Sequence, residues 1–166
     1  MDMGENNSLN KTPIVIGSDH GAFQLKNKIK EYLLEMGIDV KDIGTHTEES
    51  VDYPDFGIKV ASSVSKGKYD RGILLCGTGI GMSMVANKFP HVRAALCNDL
   101  FSAIMSRRHN NANILVLGGR VIGEELALEI VNAWLKTPFD EGRHERRICK
   151  FERIEDMESF TVDPEY

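Results

Sequence analysis

From one end of the chain to the other, short β-rich apolar runs alternate with longer stretches in which apolar residues recur every three or four positions. This alternation constrains the fold more than any other feature, because a strand led through a helix into the next strand is the connection that a parallel sheet requires. Five runs read as strands: Ile14 to Gly17, Asp39 to Ile43, Gly72 to Cys76, Arg93 to Cys97 and Ile114 to Leu117. Between the first two, Ala22, Leu25, Ile29, Tyr32, Leu33 and Met36 trace one stripe of a helix, which Gly37 closes. Similar stripes span Phe56 to Val64, Leu100 to Met105 and Leu126 to Leu135, and Pro138 halts the last of them.

The pattern predicts an α/β fold, a Rossmann-like three-layer sandwich whose five-stranded parallel sheet is covered on both faces. With 166 residues, 42% of them hydrophobic, the chain can bury one substantial core but not two. One domain over 13–155 is expected, between a flexible N-terminal segment (1–12) and a polar C-terminal tail (156–166). A net charge of −5 argues against a general nucleic-acid binder, which needs clustered Lys and Arg. Cys76, Cys97 and Cys149 are odd in number and widely spaced, as reduced thiols are, and form neither a disulfide framework nor a zinc ribbon. No apolar run approaches the roughly 18 residues of a membrane span. The polar residues 1–11 lack the basic-then-apolar order of a signal peptide, so a cytoplasmic location is expected.

Ligands of such sheets bind beyond the carboxyl ends of the strands, near the point where strand order reverses. Ser18-Asp19-His20-Gly21, Cys76-Gly77-Thr78-Gly79, Asn98-Asp99 and Gly118-Gly119-Arg120 each follow a strand and are therefore expected on one rim. The most reactive-looking of them is Cys76, followed by glycines at 77, 79 and 81 that let backbone N–H groups approach an anion. A helix is predicted to begin near Ile80, and its positive end favours a thiolate beside it. Cys76 is thus a candidate general base or nucleophile, against the alternative of a buried core thiol. Neither familiar nucleotide loop fits: positions 82 and 84 are Met where a dinucleotide fingerprint needs glycine, and no Lys-Ser or Lys-Thr follows.

Asp19 reads either as a helix cap or, with His20, as a binder of the hydroxyls or a ring oxygen of a polar ligand on the rim. His109 ends a helical stripe, where basic residues suit the dipole, but its imidazole can also exchange protons with a sugar oxygen. Arg143 and Arg147 share a helix face at i, i+4 spacing and could clamp a phosphate, or form a solvated basic turn with Glu141, Glu145 or Glu152. Tyr53-Pro54 marks a helix start.

Together Gly17-Ser18-Asp19-His20-Gly21, Asp52-Tyr53-Pro54-Asp55, Cys76-Gly77-Thr78-Gly79-Ile80-Gly81, Ala86-Asn87-Lys88, Ser106-Arg107-Arg108-His109-Asn110, Gly118-Gly119-Arg120 and Gly142-Arg143-His144-Glu145-Arg146-Arg147 resemble, in order and spacing, type B ribose-5-phosphate isomerase. The resemblance implies cofactor-free and metal-free interconversion of D-ribose 5-phosphate and D-ribulose 5-phosphate through an enediolate, as in the pentose phosphate pathway. It also implies a homodimer or dimer of dimers with active sites shared between subunits. By the same resemblance Cys76 is the base, in a catalytic loop with Thr78, and His109 opens the sugar ring. Asp19, His20, Tyr53 and Asn110 contact the sugar. The amides from Gly77 to Gly81, with Thr78, Gly79 and Ile80 between them, hold the oxyanion, at about 3 kcal/mol per donor. Arg120, Arg143 and Arg147 bind the phosphate. Ser83 or Met84 stands where one branch of the family carries a glutamate base, which places the chain in the cysteine branch. The alternatives are a hexose-6-phosphate (allose or galactose) isomerase of the same family and a non-catalytic flavodoxin-like module that holds a phosphorylated ligand.

Overall fold

The computed structural model describes residues 12–156, so the expected N-terminal segment (1–12) and C-terminal tail (156–166) lie outside the described residues except for Thr12 and Asp156. Five strands, β1 (Ile14–Ser18), β2 (Val40–Asp42), β3 (Gly72–Cys76), β4 (Ala94–Leu96) and β5 (Ile114–Gly118), form one all-parallel sheet in the order β2-β1-β3-β5-β4. Every residue of β1, β3 and β5 is buried, which is why these three read as unbroken apolar runs. The edge strands are shorter than predicted: β2 covers only the middle of 39–43 and β4 the middle of 93–97. An edge strand has a pairing partner on one side only, so its ends leave the ladder first.

Helices connect the strands as the periodicity predicts. They are α1 (Phe23–Glu35), α2 (Tyr53–Ser65), α3 (Ile80–Ala86), α4 (Leu100–Asn110) and α5 (Glu124–Lys136), with α6 (Arg143–Glu152) after the last strand. On one face, Leu25, Ile29 and Leu33 of α1, Ala103 of α4 and Ile130, Val131 and Trp134 of α5 pack on Ile16, Ile73 and Leu115. On the other, Val60 and Val64 of α2 and Met82 and Ala86 of α3 pack on Val15, Leu74 and Val116. The three-layer sandwich follows. α2 starts earlier than its apolar stripe, because Asp52 is extended and Pro54 suits a first turn; α4 runs on to Asn110, where Asn111 turns left-handed at φ 46°.

One charged residue sits in the apolar stripe of α1. Lys26 is fully buried, its Nζ donating to both carboxylate oxygens of Asp42 (2.8 and 2.9 Å) and to the Thr45 carbonyl (2.7 Å). Asp42 also accepts from the Gly44 amide at 3.0 Å. Burial pushes the Asp42 carboxyl upward, but Lys26, the Gly44 amide and Lys30 outweigh it and hold it below the ordinary range. Ser18 N donates to Gly44 O and Thr45 N to Ser18 O, both at 2.7 Å, so this buried pair braces the loop that flanks the end of β1.

Candidate active site

Strand order reverses between β1 and β3: from β1 the chain steps outward to β2, and from β3 it proceeds the other way. The crevice beyond their carboxyl ends is where such sheets take ligands, and it is here that Asp19 and Cys76 emerge. Backbone bonds tie the rim together: Asp19 N to Leu75 O (3.2 Å), Gly119 N to Cys76 O (2.9 Å) and Arg120 N to Gly77 O (2.9 Å). A Cβ on Gly21 would meet Asp19 Oδ1, Gly77 N and Arg120 Nη2 at 3.3, 3.4 and 3.5 Å, so these groups converge on one spot.

Cys76 Sγ is almost wholly buried and accepts the Gly79 N–H at 3.2 Å, a bond that strengthens when the sulfur carries charge. The loop makes this possible because Gly79 takes φ 79°, and a Cβ there would stand 2.5 Å from Leu96 Cδ1. The expected oxyanion set needs revision. The Gly79 amide serves the sulfur and the Ile80 amide bonds Thr78 Oγ1 at 3.3 Å, so among the described residues Gly77, Thr78 and Gly81 keep free N–H groups for a substrate oxygen. The Thr78 side chain thus accepts a bond within the turn itself. Tyr53 lies against the turn's far side: a Cβ on Gly81 would overlap its ring, 2.6 Å from Cζ.

The reading of Asp19 as a helix cap fails. It precedes a short 3-10 turn, His20–Ala22, without a side-chain cap bond, and its buried Oδ1 has no hydrogen-bond partner among the described residues. A buried acceptor left open in a ligand crevice is suited to a hydroxyl donor. His20 is oriented by the Val51 amide, which donates to Nδ1 at 3.2 Å and leaves Nε2 for a ligand.

Within one chain the remaining candidates lie elsewhere. Asn113, just past α4, donates to Arg93 O and accepts from Gly72 N, so His109 and Asn110 sit at the amino ends of β3, β4 and β5. Cys76 pairs with Gly118 at the carboxyl ends. Five strand residues separate the two rims by about 13 Å. Arg143 and Arg147, exposed on α6, share the lower rim with His109, whereas Arg120 is on the upper one; the three arginines do not meet in one chain.

On the lower rim the His109 and His144 rings stack, centroids 4.3 Å apart and 6° from parallel. Arg143 Nε donates to His144 Nε2 at 3.4 Å. Asp140 is bound by Arg108 at 2.9 Å, which lowers its carboxyl pKa. His144 is lowered too, by burial first and then by His109, Arg143 and Arg147. The ligand atoms of His109, Asp140 and His144 lie within 4.8 Å of one another, but two stacked rings hold their in-plane lone pairs in separate, nearly parallel planes, which do not converge on one ion. Among the arginines, Glu152 pairs with Arg93 rather than with the α6 pair, and Arg107 is buried against the Asn111 side chain and the Ala112 carbonyl. The sequence reading missed Lys26 and His144. A lysine inside an apolar helical stripe was the available signal for the first; the second stands in the Gly142–Arg147 motif, where only its arginines were given a role.

Residues 14–151 match the family model described as Ribose/Galactose Isomerase. The chain is 46% identical to ribose-5-phosphate isomerase B of Escherichia coli over 86% of its length and 95% of that protein's. It is 47% identical to D-erythrulose-4-phosphate isomerase of Pectobacterium atrosepticum over 87% of its length and 96% of the relative's. Among solved structures, that of Clostridium thermocellum ribose-5-phosphate isomerase B superposes with a TM-score of 0.85 at 56% identity, covering 87% of this chain and 97% of that one. With its thiol at the switch point, its parallel sheet and a match spanning nearly all the described residues, the chain belongs to the ribose/galactose isomerase family.

Proposed function

We propose that the protein is an aldose-ketose isomerase that interconverts D-ribose 5-phosphate and D-ribulose 5-phosphate, without metal or organic cofactor, in the cytoplasm. The observation that carries this reading is Cys76: a buried thiol at the switch point, bonded by the Gly79 amide and flanked by free amides and the open Asp19 carboxylate. The Cys76 thiolate takes the proton from C2 of the open-chain aldose, the C–H electrons form the C1–C2 double bond, and O1 becomes the oxyanion facing the Gly77, Thr78 and Gly81 amides. The thiol then returns its proton to C1 while the O2 proton passes to O1, which leaves the ketone at C2. Asp19 and His20 hold sugar hydroxyls, and Tyr53 walls the pocket.

The opposite-rim placement supports a shared site. His109, Asn110, Arg143 and Arg147 serve the chemistry only if a second copy brings its lower rim to the first copy's Cys76. The upper rim is built to be covered: Phe101 is 72% exposed, and Ile80, Met84 and Leu100 are also uncovered. In the shared site His109 gives a proton to the ring oxygen and takes one from the anomeric hydroxyl, while Arg143 and Arg147 grip the phosphate with Arg120 opposite. The test is turnover of ribose 5-phosphate in chelator and without nicotinamide, with allose and galactose 6-phosphates and a tetrose 4-phosphate alongside. The tetrose is included because of the similarity to a D-erythrulose-4-phosphate isomerase. Faster turnover of a hexose or tetrose phosphate would reassign the substrate; no turnover of any would leave a phosphate-ligand-binding module.

A further inference from the structure

The stacked imidazoles are more than the ring-opening step needs from His109 alone. At 4.3 Å and 6° from parallel, two imidazolium rings would repel, so the pair holds at most one proton. Its surroundings disfavour a charge on His144: burial first, then the neighbouring His109, Arg143 and Arg147. From α4 come Arg108 and His109 itself; from the loop before α6 comes Asp140, already bonded to Arg108; from α6 come Arg143 and Arg147. No charge from α5, the other element packed on α4, acts on His144 among the described residues. Among the described residues the two arginines of α6 have no carboxylate partner, and Arg143 Nε occupies the lone pair of His144 Nε2. A dianion bound by these same arginines would reverse the balance and draw Arg143 off that nitrogen.

We propose that the His109–His144 stack is a one-proton device loaded by the substrate's phosphate: when Arg143 and Arg147 engage the dianion the pair takes up a proton, and His109 becomes the acid that opens the sugar ring. This rests on the reading of Arg143 and Arg147 as a phosphate clamp. The imidazolium gives its proton to the ring oxygen as the C1–O bond breaks, and the pair recovers one from the anomeric hydroxyl, so the sugar's proton count is unchanged. His144 is a positioning residue, stacking on His109 so that a charge on either ring is felt by the other, without touching the sugar carbons. The phosphate thereby acts on the rate of ring opening as well as on affinity, which discriminates against unphosphorylated sugars twice.

The test uses sulfate, a dianion that does not itself titrate near neutrality, and calorimetry of its binding to the intact protein at about pH 7.5 in two buffers of different ionisation heat. The unmodified protein should take up about half to one proton per site, and His144→Asn should bind sulfate within about threefold of the unmodified affinity while taking up much less. Sulfate binding with no proton uptake by the unmodified protein would overturn the proposal and leave the clamp standing. Equal sulfate affinity in Arg143→Ala and Arg147→Ala would instead remove the clamp, and the proposal with it. In activity, His144→Asn should lose about tenfold or more in kcat on ribose 5-phosphate and little on erythrose 4-phosphate, which cannot close a furanose ring. Equal loss on both would make His144 a structural residue. If His144→Asn folds poorly, His144→Gln and His109→Asn serve the same comparison, and the measurement on the unmodified protein needs no variant.

Discussion

Cys76 ends β3 and Cys97 follows β4, yet their surroundings differ. Burial pushes the Cys97 thiol up to about 11, so it stays protonated, whereas Cys76 receives the Gly79 N–H and looks into the crevice. Cys76→Ala should therefore fold normally and lose about 10² to 10⁴ in turnover, the usual worth of a general base. Near-normal kcat in that variant would send the search to another residue. Iodoacetamide should label Cys76 before Cys97, and sugar phosphate should slow that labelling while leaving the exposed Cys149 unaffected. Gly81→Ala tests the far wall: the new methyl would overlap the Tyr53 ring, and the displaced aromatic should cost about 10 to 10²-fold in kcat/KM with little change in Tm. At this scale the sequence was informative where chemistry is local. Cys76, its glycines and Asp19 stand out because their neighbours in sequence are their neighbours in space. His144 does not, since its partner His109 is brought to it by the packing of α6 on α4.

Elements were legible as far as their periodicity is strong. β1, β3 and β5 show as continuous apolar runs because both faces are covered, and the helices show as stripes; the edge strands and helix ends shift by a few residues because pairing and turn geometry, rather than hydrophobicity, decide them. The Lys26–Asp42 pair is the feature of α1 and β2 that pattern alone misplaces, a charge inside a stripe that should be apolar. Lys26→Met leaves Asp42 buried without its main partner and should destabilise the protein by about 3–5 kcal/mol in urea unfolding. The pair also fixes a pH dependence. Because the folded state lowers the Asp42 carboxyl, its contribution is present above the unfolded pKa of about 3.9 and is lost as pH falls through the lower folded value. Asp42→Asn should flatten the stability profile below about pH 4, and an unchanged acid limb would mean other carboxylates govern it.

For the whole molecule, the two rims of one sheet set the decisive experiment. Cys76→Ala and His109→Ala, each inactive alone, should regain activity when unfolded and refolded together, because a mixed dimer holds one site with both lesions and one with neither. Random pairing gives about a quarter of the unmodified activity. Mixed dimers seen by mass spectrometry but silent in the assay would place Cys76 and His109 in one chain's site. Arg143→Ala and Arg147→Ala should chiefly raise KM, with some loss of kcat because remote binding energy aligns the reacting carbons. The separation of the thiol from the imidazole by the height of a sheet has a further consequence for how the protein works in solution. On the shared-site proposal, a lone chain owns two half-sites and no whole one, and specific activity should depend on concentration. Diluted below its self-association constant the protein should lose turnover per chain in proportion to the monomer formed, although every chain remains folded and chemically intact.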